Sequence, residues 1–249
     1  MELKDYEYFR TDLGVLYKGS SLDIIPLLEK EAVDLILTDP PYELKWKDKI
    51  DLKGRKAMLD VDVHWDKVDI VYKVLPCFAE ILKESGSLVM FCRSENVSDL
   101  IKAEKEVGLD HKCFMVWHKT NPSPQVRKKN FLSSIEAIIW AGKGFHDKIK
   151  YTFNFSNQKE MHNFFEGPIC MGGERSEHPT QKPMYLMTEL VKIFSNEGHT
   201  VLDPFAGSGT TALACEKMNR KWIAIELNDK YAEIAKNRIE QEYQQRKLF

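Results

Sequence analysis

Apolar residues along this chain fall into short unbroken runs, separated by longer stretches with helical spacing. Val33-Asp34-Leu35-Ile36-Leu37-Thr38 is nearly all apolar, the composition of a strand covered on both faces. Leu13–Tyr17, Ser87–Cys92, Cys113–Trp117, Ile135–Trp140, Thr200–Leu202 and Trp222–Ile225 read the same way. Between Lys67 and Lys83, apolar positions recur at Ile70, Val71, Val74, Leu75, Phe78, Ile81 and Leu82, and Gly86 stops the pattern. That period is helical. Further helices are predicted over Leu22–Lys30, Glu95–Val107, Pro183–Phe194, Thr210–Met218 and Asp229–Glu242. Seven strands with helices interleaved predict a doubly wound α/β sheet in a single domain spanning residues 1–249. Residues 43–66 are polar and basic and read as a mobile loop, and 142–177 are polar without a clear period.

Composition narrows the class. Hydrophobic residues make up 43% of 249, enough for a substantial core and against wholesale disorder. Five scattered cysteines, Cys77, Cys92, Cys113, Cys170 and Cys215, include no CxxC pair. They suggest reduced thiols rather than a disulfide framework or a zinc ribbon, and no spacing calls for a metal. Met1-Glu2-Leu3-Lys4-Asp5 begins no signal peptide, and no apolar run approaches the roughly 20 residues of a membrane helix. A cytoplasmic protein is expected. The formal net charge of −2 argues mildly against a polyanionic partner, but basic residues cluster at Lys45, Lys47, Lys49, Lys53, Arg55 and Lys56, and again at Arg127-Lys128-Lys129. A third cluster is Lys143, Lys148 and Lys150. Two of the three follow strands expected to end near the same sheet edge.

Chemistry concentrates after two strands. Val201-Leu202-Asp203-Pro204-Phe205-Ala206-Gly207-Ser208-Gly209-Thr210-Thr211 reads as strand, tight turn and helix start, with Ser208 or Thr210 as cap. Its small residues let backbone approach a ligand. Lysine is missing after Gly209, so it is not a P-loop, and the third glycine of a dinucleotide fingerprint is absent. Glu226 ends the next strand, 19 positions after Gly207, where an acid holds ribose hydroxyls in nucleoside-binding sheets. With Asp203 as a second acid, the loop suits a cationic nucleoside without phosphate, a description that S-adenosylmethionine meets. The other cluster, Asp39-Pro40-Pro41-Tyr42, closes strand Val33–Thr38 with a carboxylate, two stiff prolines and an aromatic ring. That set can hold a flat group bearing an amine.

Together with His178-Pro179-Thr180-Gln181-Lys182-Pro183, Trp117-His118-Lys119 and Ile225-Glu226-Leu227-Asn228, these motifs resemble a DNA amino-methyltransferase. The tetrapeptide precedes the cofactor loop, an order similar to the beta group, and the resemblance covers about residues 13 to 240. It implies a Rossmann-like, seven-stranded mixed sheet with a small inserted target-recognition segment, placed at 142–177. It implies S-adenosylmethionine as donor, S-adenosylhomocysteine as product, and an adenine flipped out of duplex DNA. By this resemblance Asp39, Pro40, Pro41 and Tyr42 are catalytic. Asp203, Pro204, Phe205, Ala206, Gly207, Ser208, Gly209 and Thr210 line the cofactor pocket, with Glu226, Leu227 and Asn228 at the ribose. Thr180, Lys182 and Pro183 border the methionine end, and His178 either belongs to the site or fixes the loop before Pro183. Lys45, Lys47, Arg55, Arg127, Lys128 and Lys129 contact DNA phosphates. The acid at position 39 is the form typical of adenine-N6 enzymes. Cytosine-N4 or RNA methylation, and an inactive homologue binding cofactor and DNA, are the alternatives. A homodimer, a cognate restriction endonuclease and a prokaryotic or phage-infected host cell are the partners and setting the resemblance leaves open.

Overall fold

The computed structural model describes residues 1–41, 69–145 and 151–247. Its strands are β1 (Glu7–Arg10), β2 (Gly14–Lys18), β3 (Val33–Thr38), β4 (Leu82–Cys92), β5 (Asp110–Lys119), β6 (Ile135–Gly142), β7 (Phe164–Gly167), β8 (Thr200–Asp203) and β9 (Lys221–Glu226). Among the described residues they form one mixed sheet in the order β1-β2-β9-β8-β3-β4-β6-β5-β7. The five strands from β2 to β4 run parallel. β4, β6 and β5 pair antiparallel, and β7 adds in parallel to β5. All seven strands expected from the apolar runs are present. The two additional ones, β1 and β7, lie at the edges, where half-exposed residues leave no apolar run to read.

Among the described residues six helices cover the sheet: α1 (Ser21–Ile24), α2 (Asp69–Ile81), α3 (Val97–Glu106), α4 (Met184–Phe194), α5 (Thr210–Lys217) and α6 (Asp229–Lys247). Each strand feeds two cores because successive side chains point to opposite faces. Leu35, Leu37, Val89 and Phe91 join the layer of α4, α5 and α6. Ile36, Leu88 and Met90 join the layer of α1, α2 and α3. The expected helix Leu22–Lys30 is much shorter in the structure. It gives way to a 3₁₀ turn at Ile25–Leu27, where Pro26 has no N–H to continue the ladder.

After β3 the chain builds outward toward β4. After β8 it builds the opposite way, through α5 to β9. A crevice therefore opens between the carboxyl ends of β3 and β8, the place where open α/β sheets bind ligands.

The stretch 142–177 lacks a period for a structural reason. Phe145, Tyr151 and Phe153 pack around Trp140, with ring centroids 5.7, 5.5 and 5.2 Å away. Asn154 ties the segment to the end of α4 through the carbonyls of Lys192 and Ser195. All five cysteines are thiols. Among the described residues no helix is long and apolar enough to cross a membrane, and no three His, Cys, Asp or Glu side chains group as metal ligands.

Candidate active site

Asp39, Asp203 and Glu226 stand at the carboxyl ends of β3, β8 and β9, three adjacent parallel strands. Neighbouring strands are about 4.8 Å apart, so residues from distant parts of the chain meet along one edge. A hollow of about 800 Å³ bounded by Lys30, Glu31, Glu80 and Lys143 lies at the opposite edge, remote from these acids. A smaller dent lined by Pro40, Pro41, Phe91 and Cys92 backs the tetrapeptide.

The Gly-rich turn is built by backbone. Gly207 and Gly209 have φ of +52° and +75°, values that favour glycine. A Cβ on Gly207 would lie 2.8 Å from His178 Nε2, and one on Gly209 would lie 2.9 Å from Ala235 Cβ. Gly209 itself, rather than Ser208 or Thr210, is the N-cap of α5. Ser208 and Thr210 are buried, and Arg238 from α6 donates to Ser208 O, Ser208 Oγ and Thr210 Oγ1 at 2.5, 3.0 and 3.1 Å. Periodicity gave no sign of Arg238, a cation on the buried side of a mostly polar helix.

The two acids flanking this turn differ. Glu226 accepts the N–H of Gly207 on Oε2 (2.7 Å) and of Asn228 on Oε1 (2.8 Å). Burial pushes its carboxyl up to about 7, with these N–H donors pulling the other way. A carboxylate oxygen has two lone-pair sites, so each oxygen retains capacity for a hydroxyl donor. Asp203, expected to line the cofactor pocket, accepts three internal hydrogen bonds. Thr38 Oγ1 and the Phe205 N–H donate to its Oδ1 at 3.0 and 3.2 Å, and Thr211 Oγ1 to its Oδ2 at 2.6 Å. It ties β3, the turn and α5 together, and burial raises its carboxyl to about 6. Asn228 caps α6 by accepting the N–H groups of Lys230 and Tyr231. Leu227 beside it is 57% exposed.

Asp39 does not stand alone. Lys182, expected to border the methionine end of the cofactor, pairs with Asp39 Oδ2. It also lies 3.1 Å from Glu136 Oε2, and Lys119 lies 2.6 Å from Glu136 Oε1. Sequence reading missed Glu136. The available signal was a carboxylate inside the apolar run Ile135–Trp140. Pro183 is the N-cap of α4, and Thr180 is exposed in the turn before it. His178 packs edge-on against Tyr231, centroids 4.4 Å apart. Burial, reinforced by Lys182 and Arg238, pushes its imidazole down to about 4. Its Nδ1 is buried without a hydrogen-bond partner among the described residues. Arg127, Lys128 and Lys129 are exposed on the loop joining β5 to β6, in front of Phe131, which is 92% exposed. Tyr42, Lys45, Lys47 and Arg55, with the rest of the expected loop 43–66, and Lys148 and Lys150 lie outside the described residues.

The model of the DNA methylase family, N6/N4 methyltransferase type, matches residues 33–237, from the start of β3 into α6. The chain belongs to this family. The DNA methylase is 28% identical to the type II methyltransferase M2.DpnII of Streptococcus pneumoniae, over 94% of its own length and 92% of the relative's. It is 30% identical to the protein in the crystal structure of an M1.HpyAVI–SAM complex, with a TM-score of 0.71, covering 90% of this chain and 98% of that one. It shares the fold of the cytosine-N4-specific PvuII DNA methyltransferase at 19% identity, with a TM-score of 0.72, 96% of this chain and 94% of that one being covered.

The methylase's own residues fit S-adenosylmethionine. The backbone at Gly207 leaves no room for a Cβ, the Nε2 edge of the His178 ring lies against it, and Glu226 presents acceptors at the neighbouring strand end.

Proposed function

We propose that this DNA methylase transfers a methyl group from S-adenosylmethionine to the N6 amine of an adenine flipped out of duplex DNA. One observation carries the reading: Asp39 and the Gly207 turn follow the carboxyl ends of the adjacent parallel strands β3 and β8, with Thr38 hydrogen-bonded to Asp203. The cofactor, when bound, supplies an electrophilic methyl and leaves as S-adenosylhomocysteine.

The chain's residues supply positioning. An exocyclic amine is a poor nucleophile because its lone pair is delocalised into the ring. The Asp39 carboxylate and the Pro40 carbonyl each accept one N–H, which favours a tetrahedral nitrogen with its lone pair turned toward the donor. Holding reactants in such an arrangement supplies much of the rate of a displacement. Flipping exposes the amine, and the family motif assigns Tyr42 to stack on the base. Glu226 serves the ribose, and Leu227 offers apolar surface beside it. The acid at position 39 favours adenine over cytosine. Arg127, Lys128 and Lys129 contact phosphates, which position the duplex without reading it. The segment 142–177 takes part in choosing the site. A second copy of the chain, and an endonuclease of the same specificity in a prokaryotic cytoplasm, belong to this proposal. Light scattering reads the first, and protection of modified DNA from digestion the second.

Transfer of labelled methyl to unmethylated duplex DNA, followed by nucleoside analysis, tests the reading. Label in N6-methyladenine is expected; label in N4-methylcytosine refutes the choice of base. Asp39→Ala should retain cofactor binding and lose transfer by a factor on the order of 100 or more. Near wild-type turnover in that variant would sink the mechanism.

A further inference from the structure

Lys119, Glu136, Lys182 and Asp39 form a row of alternating charge. Lys119 ends β5, Glu136 is the second residue of β6, and Lys182 immediately precedes the N-cap of α4. The row thus gathers three separate elements onto the acid that follows β3. Lys182 is 7% exposed, with its ammonium 4.7 Å from the centre of the Phe91 ring. Burial alone pulls this ammonium down, but Asp39 and Glu136 more than offset it and hold it above the ordinary lysine range. Burial likewise acts to raise Glu136, and Lys182 and Lys119 override it, leaving its carboxyl below the usual range.

Such an arrangement is poorly explained as a device for stability. Desolvating buried charges offsets most of their attraction, and apolar replacements are often as stable. Nor does one lysine need two acids for neutrality. What the second acid provides is direction. Lys182 has a flexible four-carbon stem and a compact charge, and Asp39 alone would leave it able to follow the carboxylate wherever that turned. Glu136, paired on its far side with Lys119, attracts the ammonium by charge from a second direction, 3.1 Å from Oε2 and without a hydrogen bond to that oxygen. Two lysines and two acids also sum to no net charge, which suits a pocket that receives a cationic donor.

We propose that Glu136 is a positioning residue for methyl transfer: braced by Lys119, it fixes Lys182, which orients the Asp39 carboxylate toward the target amine. The inference rests on the reading of Asp39 given above. Glu136 itself touches neither base nor donor in this scheme.

The test compares Glu136→Gln and Glu136→Asp with the wild-type protein. Single-turnover transfer to a duplex substrate gives the rate, and calorimetry gives the S-adenosylmethionine Kd. Glu136→Gln should lower the rate on the order of 10- to 100-fold, the scale of a small misplacement of a reacting group. Its cofactor Kd should stay within about threefold of wild type, as for an interaction that serves the transfer step rather than binding. Glu136→Asp keeps the charge and should recover most of the loss. A wild-type rate in Glu136→Gln, a loss matched by the change in Kd, or no recovery in Glu136→Asp would each overturn the proposal. If Glu136→Gln does not fold, Lys119→Met removes the brace and should show a smaller loss of the same kind; an unaltered rate there also overturns it. Asp39→Ala separates the two readings. If that variant is active, the role of Asp39 falls; if it is inactive while Glu136→Gln is fast, only the positioning role falls.

Discussion

Two aspartates one strand apart are held in opposite ways. Asp39 is paired with a lysine, whereas Asp203 is enclosed by hydroxyl and amide donors and raised by burial to about 6. Proximity to a ligand loop could not separate these roles in the sequence, because both acids simply follow an apolar run. Glu226 is the residue whose titration should be visible. Its carboxyl, raised to about 7, accepts more strongly from hydroxyls once ionised. Binding that favours the ionised form must strengthen as pH rises through about 7 and level off above it. Cofactor affinity measured at pH 6 and pH 8 should therefore be higher at pH 8. Glu226→Gln should weaken binding about tenfold, the order of one charge-assisted hydrogen bond, and should flatten that pH difference. An undiminished slope in Glu226→Gln would refute the ribose role.

At the scale of elements, the central strands are legible because burial on both faces leaves mostly apolar residues. Edge strands β1 and β7 are not, since half-exposed positions carry mixed chemistry. The same limit hid the partners of Asp39. Lys119 and Glu136 face each other only because β5 and β6 pair, with Trp117 opposite Glu136, and Lys182 reaches them from another segment. Function was legible in motifs, whereas support for function depended on pairing between elements. The α3–β5 contact shows another hidden pair. Glu104 is fully buried, with Oε2 3.1 Å from His111 Nδ1. Burial raises Glu104 to about 8 from 4.5 and lowers His111, so it opposes charge on both partners. The folded state keeps the Glu104 proton between about 4.5 and 8, where the unfolded chain has lost it, so this group's contribution to stability falls as pH rises through that window. Glu104→Gln removes the penalty. Its melting temperature relative to wild type should increase between pH 5 and pH 8.5, and a constant difference would refute the assignment.

For the whole molecule, net charge is a poor guide to the partner. A chain with a formal charge of −2 still carries Arg127, Lys128 and Lys129 on an exposed loop between Lys119 and Glu136. Each lost phosphate contact lowers the salt dependence of duplex binding by about 0.9 in the log–log slope. Replacing Lys128 and Lys129 with alanine should therefore reduce that slope by about two and leave cofactor affinity unchanged. An unchanged slope would remove this loop from the interface.

The ties that complete the site span long stretches of chain: Asp39 to Lys182 across 143 positions, and Thr38 to Asp203 across 165. Contacts so distant form slowly, because the entropy of closing large loops precedes any reward from them. On a ribosome, the acid made among the first forty residues cannot meet Lys182 until that residue has emerged. Competence to methylate is thus a late event in the life of each molecule, and activity recovered after refolding should lag behind the return of secondary structure.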